Sequence, residues 1–180
     1  FLSFKNQTYG FVKDKNFMNV KGIHSPNHQF GLLIEKSEIP YKILLTDNKN
    51  TKTEIVNDCG GGTLLSYLAS TMPNVPVYWI DDQNILYAKY SQSGFTKKNI
   101  ETTAIIYKIN IKTKNSEIIT KIDFIAPDTS NSKFLKDPGG EIIFYCEKGK
   151  FKIDLENKSA IQLEISSIQN EFSIDYNFNQ

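Results

Sequence analysis

Three stretches of this chain repeat one pattern, and this repetition limits the possible folds more than any other feature. Residues 23–56, 75–122 and 133–163 each carry a turn signal, a short apolar strand, a second strand that ends in a polar turn, and a third strand. Their turns are rich in Asn, Asp, Gly and Pro, which stabilise tight hairpin connections. Repeated units of this kind bury apolar surface by stacking on their neighbours. The pattern predicts antiparallel hairpins in a single all-β domain spanning residues 1–180.

Period-two alternation within the predicted strands supports this fold class. In the second repeat Tyr107, Ile109 and Ile111 alternate with polar residues, and in the third repeat Phe151 and Ile153 do the same. Successive side chains of a strand point to opposite faces of a sheet. These strands are therefore predicted to have one buried face and one solvated face.

One segment between the first two repeats departs from the pattern. Leu64, Leu65, Leu68 and Met72 recur at spacings close to those of one helix face. The spacing predicts a short helix of about two turns. The alternative is an innermost strand of the second repeat over residues 63–67, preceded by a glycine loop.

The turns and the strands that follow them carry a family resemblance. A Ser-Pro-Asn turn at residues 25–27 and an Asp-Pro-Gly-Gly turn at residues 137–140 each precede an apolar strand, and later strands end in turns with Asn and Lys. This pattern resembles the repeats of TolB-like and WD-repeat-like β-propellers, most clearly over residues 77–119 and 134–163. The resemblance covers about two thirds of the chain and implies antiparallel propeller-like blades. It concerns turns and strands rather than chemistry, so it says more about architecture than about function.

The number of repeats is small for a propeller. Rings of this type usually close with ~4–8 blades, so the resemblance implies a partial or open β-propeller. The chain could then be a fragment of a larger propeller or half of a dimeric ring. A fourth blade could instead be shared by residues 2–12 and 172–178. The remaining alternative is a twisted β-sandwich or barrel made from the same strands.

The charged residues argue against two classes of partner. The 21 basic residues are all lysines, they face 20 acidic residues for a net charge of +1, and no third of the chain is strongly basic. Arginine, which is preferred for bidentate contacts to phosphate and guanine, does not occur. We therefore expect no nucleic-acid partner. Because no apolar run approaches the ~20 residues of a membrane-spanning helix, we also expect no membrane insertion.

The cysteines do not identify the cellular compartment of the protein. Cys59 and Cys146 lie far apart, which is neither a zinc pattern nor a disulfide framework, and both one disulfide and two free thiols fit the sequence. The chain begins at Phe1 rather than Met, which we interpret as a processed or trimmed product. An exported location, periplasmic or on the cell surface, is favoured over a cytoplasmic one.

Four candidate binding residues lie close together at the start of the second repeat. Tyr78 and Trp79 precede Asp81 and Asp82. The two rings could line a ligand surface, although packing between blades is the commoner role of such residues. Paired carboxylates carry acid–base chemistry or bind calcium, but the sequence at residues 81–84 is also typical of a hairpin turn, which we favour. We assign no catalytic residue, no metal ligand and no cofactor.

Two further clusters suggest chemistry more weakly. His24 and His28 have the spacing of a metal-binding pair on a helix, but Pro26 rules out a helix there and favours turn histidines. Cys59 precedes the glycines at 60–62, which could cradle an anion beside a thiol nucleophile with His24 as its base. Because no hydrolase signature accompanies them, we favour a flexible connection between repeats.

These observations predict a non-enzymatic protein-binding or scaffold domain of β-propeller type. Its expected partner is another protein or a second copy of the chain. Loops on a rigid scaffold commonly carry binding. The expected contact elements are therefore the loop over residues 91–101, which contains Lys97 and Lys98, and the connection over residues 123–132.

Two other functions are the alternatives. The first is a small hydrolase-like enzyme, acting on a small molecule or a sugar, that uses Asp81, Asp82 and His24. The second is an immunity or inhibitor protein whose acidic C-terminal third contacts a basic partner. That third, residues 123–180, holds ten acidic residues against six lysines.

Overall fold

The chain folds into antiparallel β-sheets. The computed structural model describes residues 9–11, 21–35, 40–59, 75–93, 101–125 and 132–163. These residues form thirteen strands in three sheets and contain no helix. The predicted all-β antiparallel fold class is therefore confirmed. None of the described residues supplies a helix that is long and apolar enough to cross a membrane.

Each sheet is a meander in which neighbours in sequence are neighbours in space. The sheets are open, with two edge strands each among the described residues. The first sheet has five strands in the order β1 to β5: β1 Tyr9–Phe11, β2 Lys21–His24, β3 Phe30–Glu35, β4 Lys42–Asp47 and β5 Lys52–Val56. The second has four: β6 Val77–Trp79, β7 Asn84–Ser93, β8 Glu101–Asn110 and β9 Ser116–Ile125. The third also has four: β10 Lys133–Lys136, β11 Ile142–Cys146, β12 Gly149–Asp154 and β13 Ser159–Leu163.

The second sheet is longer than its sequence predicts. The prediction of a loop from residue 91 to residue 101 is wrong at both ends, because Ser91 pairs with Thr103 and Gln92 pairs with Thr102. These polar residues belong to the strands because their main chains pair with a long neighbouring strand. The structure describes neither residues 94–100, which include the remainder of that loop, nor the segment predicted as helix or inner strand.

Of the two segments that could share a fourth blade, residues 2–12 and 172–178, the structure describes Tyr9–Phe11. Tyr9–Phe11 pairs with β2 and so extends the first sheet. Residues 172–178 lie outside the described residues.

The second sheet is buried on both faces because the other two sheets stack against it. Trp79, Ile85, Tyr87 and Ile109 lie on one face and share a core with residues of the first sheet. The opposite face shares a second core with the third sheet. Its main members are Leu86, Ala88, Ala104, Ile106, Phe134, Phe144, Phe151 and Ile153. Alternate residues of the same strands therefore contribute to two different cores.

Turns of neighbouring sheets contact each other at one end of the stack, so the stack has two distinct end surfaces. The backbone amide of Asn27 donates to Asp82 Oδ1 at 2.9 Å, which joins a turn of the first sheet to a turn of the second. Lys158 and Glu117 join the third sheet to the second at the same end, with 2.7 Å between Nζ and Oε2. We call this surface the turn end; it comprises residues 25–29, 48–51, 80–83, 111–115, 137–141 and 155–158. The opposite surface is the cleft end.

A side-chain oxygen organises each turn of the turn end. Asp47 accepts hydrogen bonds from the amides of Lys49 and Thr51 at 2.8 and 2.9 Å. Asn110 and Asp154 do the same in the equivalent turns of the other two sheets. These local hydrogen bonds stabilise the turn relative to other backbone conformations. They explain why Asn and Asp residues in the sequence predict these turns.

Two outer strands contain a β-bulge. The register of β5 against β4 skips Ile55, and the register of β9 against β8 skips Ile119. Both skipped side chains are buried, with 6% and 2% exposed. The outer strand β13 of the third sheet pairs without a skip, and its Ile161 is 50% exposed.

Candidate binding cleft

The two aromatic candidates lie inside the protein. Tyr78 and Trp79 follow each other on β6 and so point to opposite faces of the second sheet. Tyr78 packs towards the third sheet with 9% exposed, and Trp79 packs towards the first sheet with 2% exposed. Burial raises the pKa of the Tyr78 phenol. Both rings therefore offer a ligand very little surface.

The carboxylate of Asp81 is occupied by its own turn. Its Oδ1 accepts from the amides of Gln83 and Asn84 at 2.7 and 2.8 Å, and its Oδ2 accepts from the Asn84 side chain at 2.9 Å. Partial burial alone would raise the pKa of Asp81, but these hydrogen bonds outweigh it and lower the pKa. A carboxyl group held in its charged form is poorly suited to act as a general acid.

Asp82 contacts the turn that lies between His24 and His28. Asp82 accepts the Asn27 amide, and the rings of His24 and His28, on either side of Asn27, have centroids 6.4 Å apart. Within the described residues, no three His, Cys, Asp or Glu side chains are grouped in a way that could hold a metal ion. The interaction that the structure assigns to Asp82 is therefore a connection between two sheets.

The remaining sequence candidates divide between the core and the part of the chain that is not described. Cys59 is 1% exposed and packs with Tyr41 and Tyr87 between the first two sheets. Cys59 and Cys146 are not joined by a disulfide, which decides between the two alternatives left by the sequence. Lys97 and Lys98, like the glycines at 60–62, lie outside the described residues.

An open cleft lies at the cleft end, where the second and third sheets meet. Its volume is about 750 Å³. Three segments form it: the start of β8, the end of β9 and the turn between β11 and β12. Its lining residues are Glu101, Thr102, Thr103, Asp123, Phe124, Ile125, Glu147 and Lys148.

The cleft is acidic. It holds the carboxylates of Glu101, Asp123 and Glu147 against the single ammonium of Lys148, which gives a net charge of −2. Thr103 Oγ1 donates to Asp123 Oδ1 at 2.6 Å, and Lys148 Nζ donates to the Asp123 carbonyl at 2.9 Å. These bonds fix the end of β9 against its two neighbours. All three carboxylate residues are exposed to solvent.

Apolar groups complete the lining. Phe124 is 6% exposed and belongs to the core between the second and third sheets, so it forms a rigid part of the cleft. Ile125, one residue further along, is 62% exposed. The cleft therefore presents one large exposed apolar side chain beside several charged ones.

The elements predicted to contact a partner, residues 91–101 and 123–132, reach the cleft through Glu101 and Asp123. The turn with Glu147 and Lys148 was missed, because only the packing of the third sheet on the second brings it there. Neither a family model, nor a curated protein, nor a solved structure matches this chain.

Proposed function

We propose that this chain is a non-enzymatic protein-binding domain of β-propeller type whose partner binds in the cleft. The observation that carries the proposal is the composition of the cleft, which combines three exposed carboxylates with the exposed Ile125 on a rigid floor. The packing of the third sheet on the second forms that floor. Binding surfaces commonly form at loops that a rigid scaffold positions.

The charge of the cleft favours a particular kind of partner. A net charge of −2 attracts a segment with lysine or arginine side chains and speeds its association at low salt. Ile125 adds an apolar contact that charge alone would not provide. The proposed partner is therefore a protein segment that presents basic residues next to an apolar one.

The turn end supports a non-enzymatic function indirectly. Asp81 and Asp82, the carboxylates of the hydrolase alternative, accept hydrogen bonds from backbone amides. Such bonds hold the two side chains in place. The described contacts of both residues are accounted for by turn structure and by the connection between sheets.

A retention experiment with charge-reversed protein tests the proposal. The full chain is immobilised in three forms: the natural sequence, a cleft variant with Glu101→Lys and Glu147→Lys, and a control with Glu156→Lys. Glu156 is equally exposed but lies at the turn end. Proteins retained from the host extract are identified by mass spectrometry.

We expect a protein that is retained by the natural chain and the control and lost from the cleft variant. Its purified form should bind the natural chain at least tenfold more tightly than the cleft variant, since charge reversal replaces attraction by repulsion. Equal retention by all three forms, or by none, would contradict the proposal.

A further inference from the structure

The third sheet has a lysine-rich face that points away from the second sheet. Across its four strands, Lys133 pairs with Tyr145, Tyr145 with Lys150, and Lys150 with Leu163. These four side chains therefore form one row on the outer face. We call this row, together with Ile161 in the next row, the outer lysine face.

Two like charges are held close together in this row. Lys133 Nζ lies 5.7 Å and Lys150 Nζ 5.5 Å from the centroid of the Tyr145 ring, where both ammonium groups interact with the π system. Among the described residues, neither lysine forms an ion pair with a carboxylate. By contrast Lys152, on the same face, pairs with Glu141. The row thus lacks an anionic partner within the described chain.

The same face exposes apolar surface. Ile161 is 50% exposed, while Leu163 and Tyr145 are partly exposed. A face that combines uncompensated ammonium groups with exposed apolar side chains is complementary to a polypeptide segment that carries both carboxylates and apolar residues.

The chain itself supplies such a segment. Residues 164–180 follow Leu163 directly, at the end of the row, and hold Glu164, Glu171 and Asp175 with no lysine, for a charge of −3. Apolar residues alternate with polar ones over residues 172–178. The first and fourth strands of the sheet are about 14 Å apart at ~4.8 Å per step. Eight extended residues reach about 26 Å, so Glu171 can reach the far edge of the sheet.

We propose that residues 164–180 bind across the outer lysine face of the third sheet and supply its missing carboxylates. The proposal is independent of the partner cleft, which lies between the second and third sheets. A second copy of the chain, or a separate acidic protein, would be the competing occupants.

Zero-length cross-linking of the full chain tests this assignment. Unlabelled and ¹⁵N-labelled protein are mixed, treated with a carbodiimide that joins amines to carboxylates, and analysed by mass spectrometry. The pair Lys158–Glu117, at 2.7 Å, is the positive control. Links to Glu164 are not counted, because this residue adjoins the register partner of Lys150.

We expect Lys133 or Lys150 to be joined to Glu171 or Asp175 in peptides of a single isotopic label. Links of mixed label would assign the face to a second copy and overturn the proposal. Formation of the control link without any link to Glu171 or Asp175 would overturn it too, and would leave the face to a separate protein.

A labelling experiment provides a second readout in solution. Ile161→Cys places a thiol on the outer lysine face, and its maleimide reaction is followed at position 161. Adding Glu171→Lys and Asp175→Lys should raise that rate about three- to tenfold, the range expected for losing exposed ion pairs. Glu156→Lys, in the turn before β13, should leave it unchanged. An unchanged rate in the first variant would contradict the proposal.

Discussion

The two ends of the sheet stack use their polar residues in opposite ways. At the turn end, Asp47, Asp81 and Asp154 direct their carboxylates at backbone amides two to four residues away. At the cleft end, the carboxylates of Glu101 and Glu147 line an open cleft. The first arrangement stabilises the fold, and the second leaves charge available for a partner.

The difference shows that abundance of acidic residues alone does not locate a binding site. The carboxylates of the turn end are the more visible in sequence, because they occur beside Asn, Gly and Pro. The hydrogen bonds of Asp47, Asp81 and Asp154, however, are made within their own turns. The following predictions test this division between a structural end and a binding end, beginning with the largest expected effect.

The largest effect is expected in the core of the second sheet. Ile106 is 0% exposed in the core shared with the third sheet, whereas its neighbour Ile105 on the opposite face is only partly buried. Ile106→Ala should lower the free energy of unfolding by about 2–5 kcal/mol, and Ile105→Ala by about 1 kcal/mol. Urea unfolding measures both. Equal losses would mean that this half of the sheet is covered equally on both faces.

The next effect separates the two ends directly. Asp81→Ala removes the acceptor of several turn hydrogen bonds and should cost about 1–2 kcal/mol of unfolding free energy. Glu101→Ala at the cleft end should stay within about 0.5 kcal/mol. Asp81→Asn, which retains an oxygen acceptor, should fall between them. Chemical unfolding of the three variants checks the order, and a cost for Glu101→Ala equal to that of Asp81→Ala would contradict it.

The acid sensitivity of the fold should arise at the turn end. The Thr51 amide lowers the pKa of Asp47, and the Asn157 amide lowers that of Asp154. In Asp81, turn hydrogen bonds overcome the opposing effect of burial. A carboxyl group whose pKa is lower in the folded state stabilises the fold above its unfolded pKa. This contribution is lost as the pH falls through the folded value.

Replacing Asp47, Asp81 and Asp154 together by Asn should therefore flatten the decrease of the urea midpoint below about pH 4. The matched control carries Glu101→Gln, Asp123→Asn and Glu147→Gln at the cleft end. An equally flattened profile in that control would place the acid sensitivity at both ends.

The smallest effect on stability is expected in the cleft. Glu101→Gln combined with Glu147→Gln should change the free energy of unfolding by less than about 0.5 kcal/mol, because both side chains are exposed. The same variant should weaken binding of the cleft partner, and calorimetry on the purified pair would measure the loss. A substantial loss of stability would show that the cleft acids also maintain the fold.

The sequence predicted the short hairpins better than the long ones. The alternation predicted for Phe151 and Ile153 falls within β12, and both side chains are buried. The extension of β7 through Ser93 and the start of β8 at Glu101 were missed. The Ser, Gln and Thr residues at these strand ends do not alternate with apolar residues. Backbone pairing with the neighbouring strand places them in the sheet.

The binding cleft was predictable only in part for a different reason. Glu101 and Asp123 lie at the ends of long polar segments, which sequence reasoning selects as surface loops. Glu147 and Lys148 occupy a turn like any other in the chain. Their position beside Asp123 depends on how the third sheet stacks on the second, and stacking geometry leaves no local signal.

The last strands of the three sheets differ in the edge that they present. A bulge at Ile55 or Ile119 twists its edge strand and interrupts the row of main-chain groups that another strand would need for pairing. The edge formed by β13 has no such interruption and exposes Ile161. If concentrated or partly unfolded protein aggregates by adding strands, growth along this edge should be favoured over growth along the bulged strands. A purification buffer or fusion partner would then need to shield that side of the third sheet first.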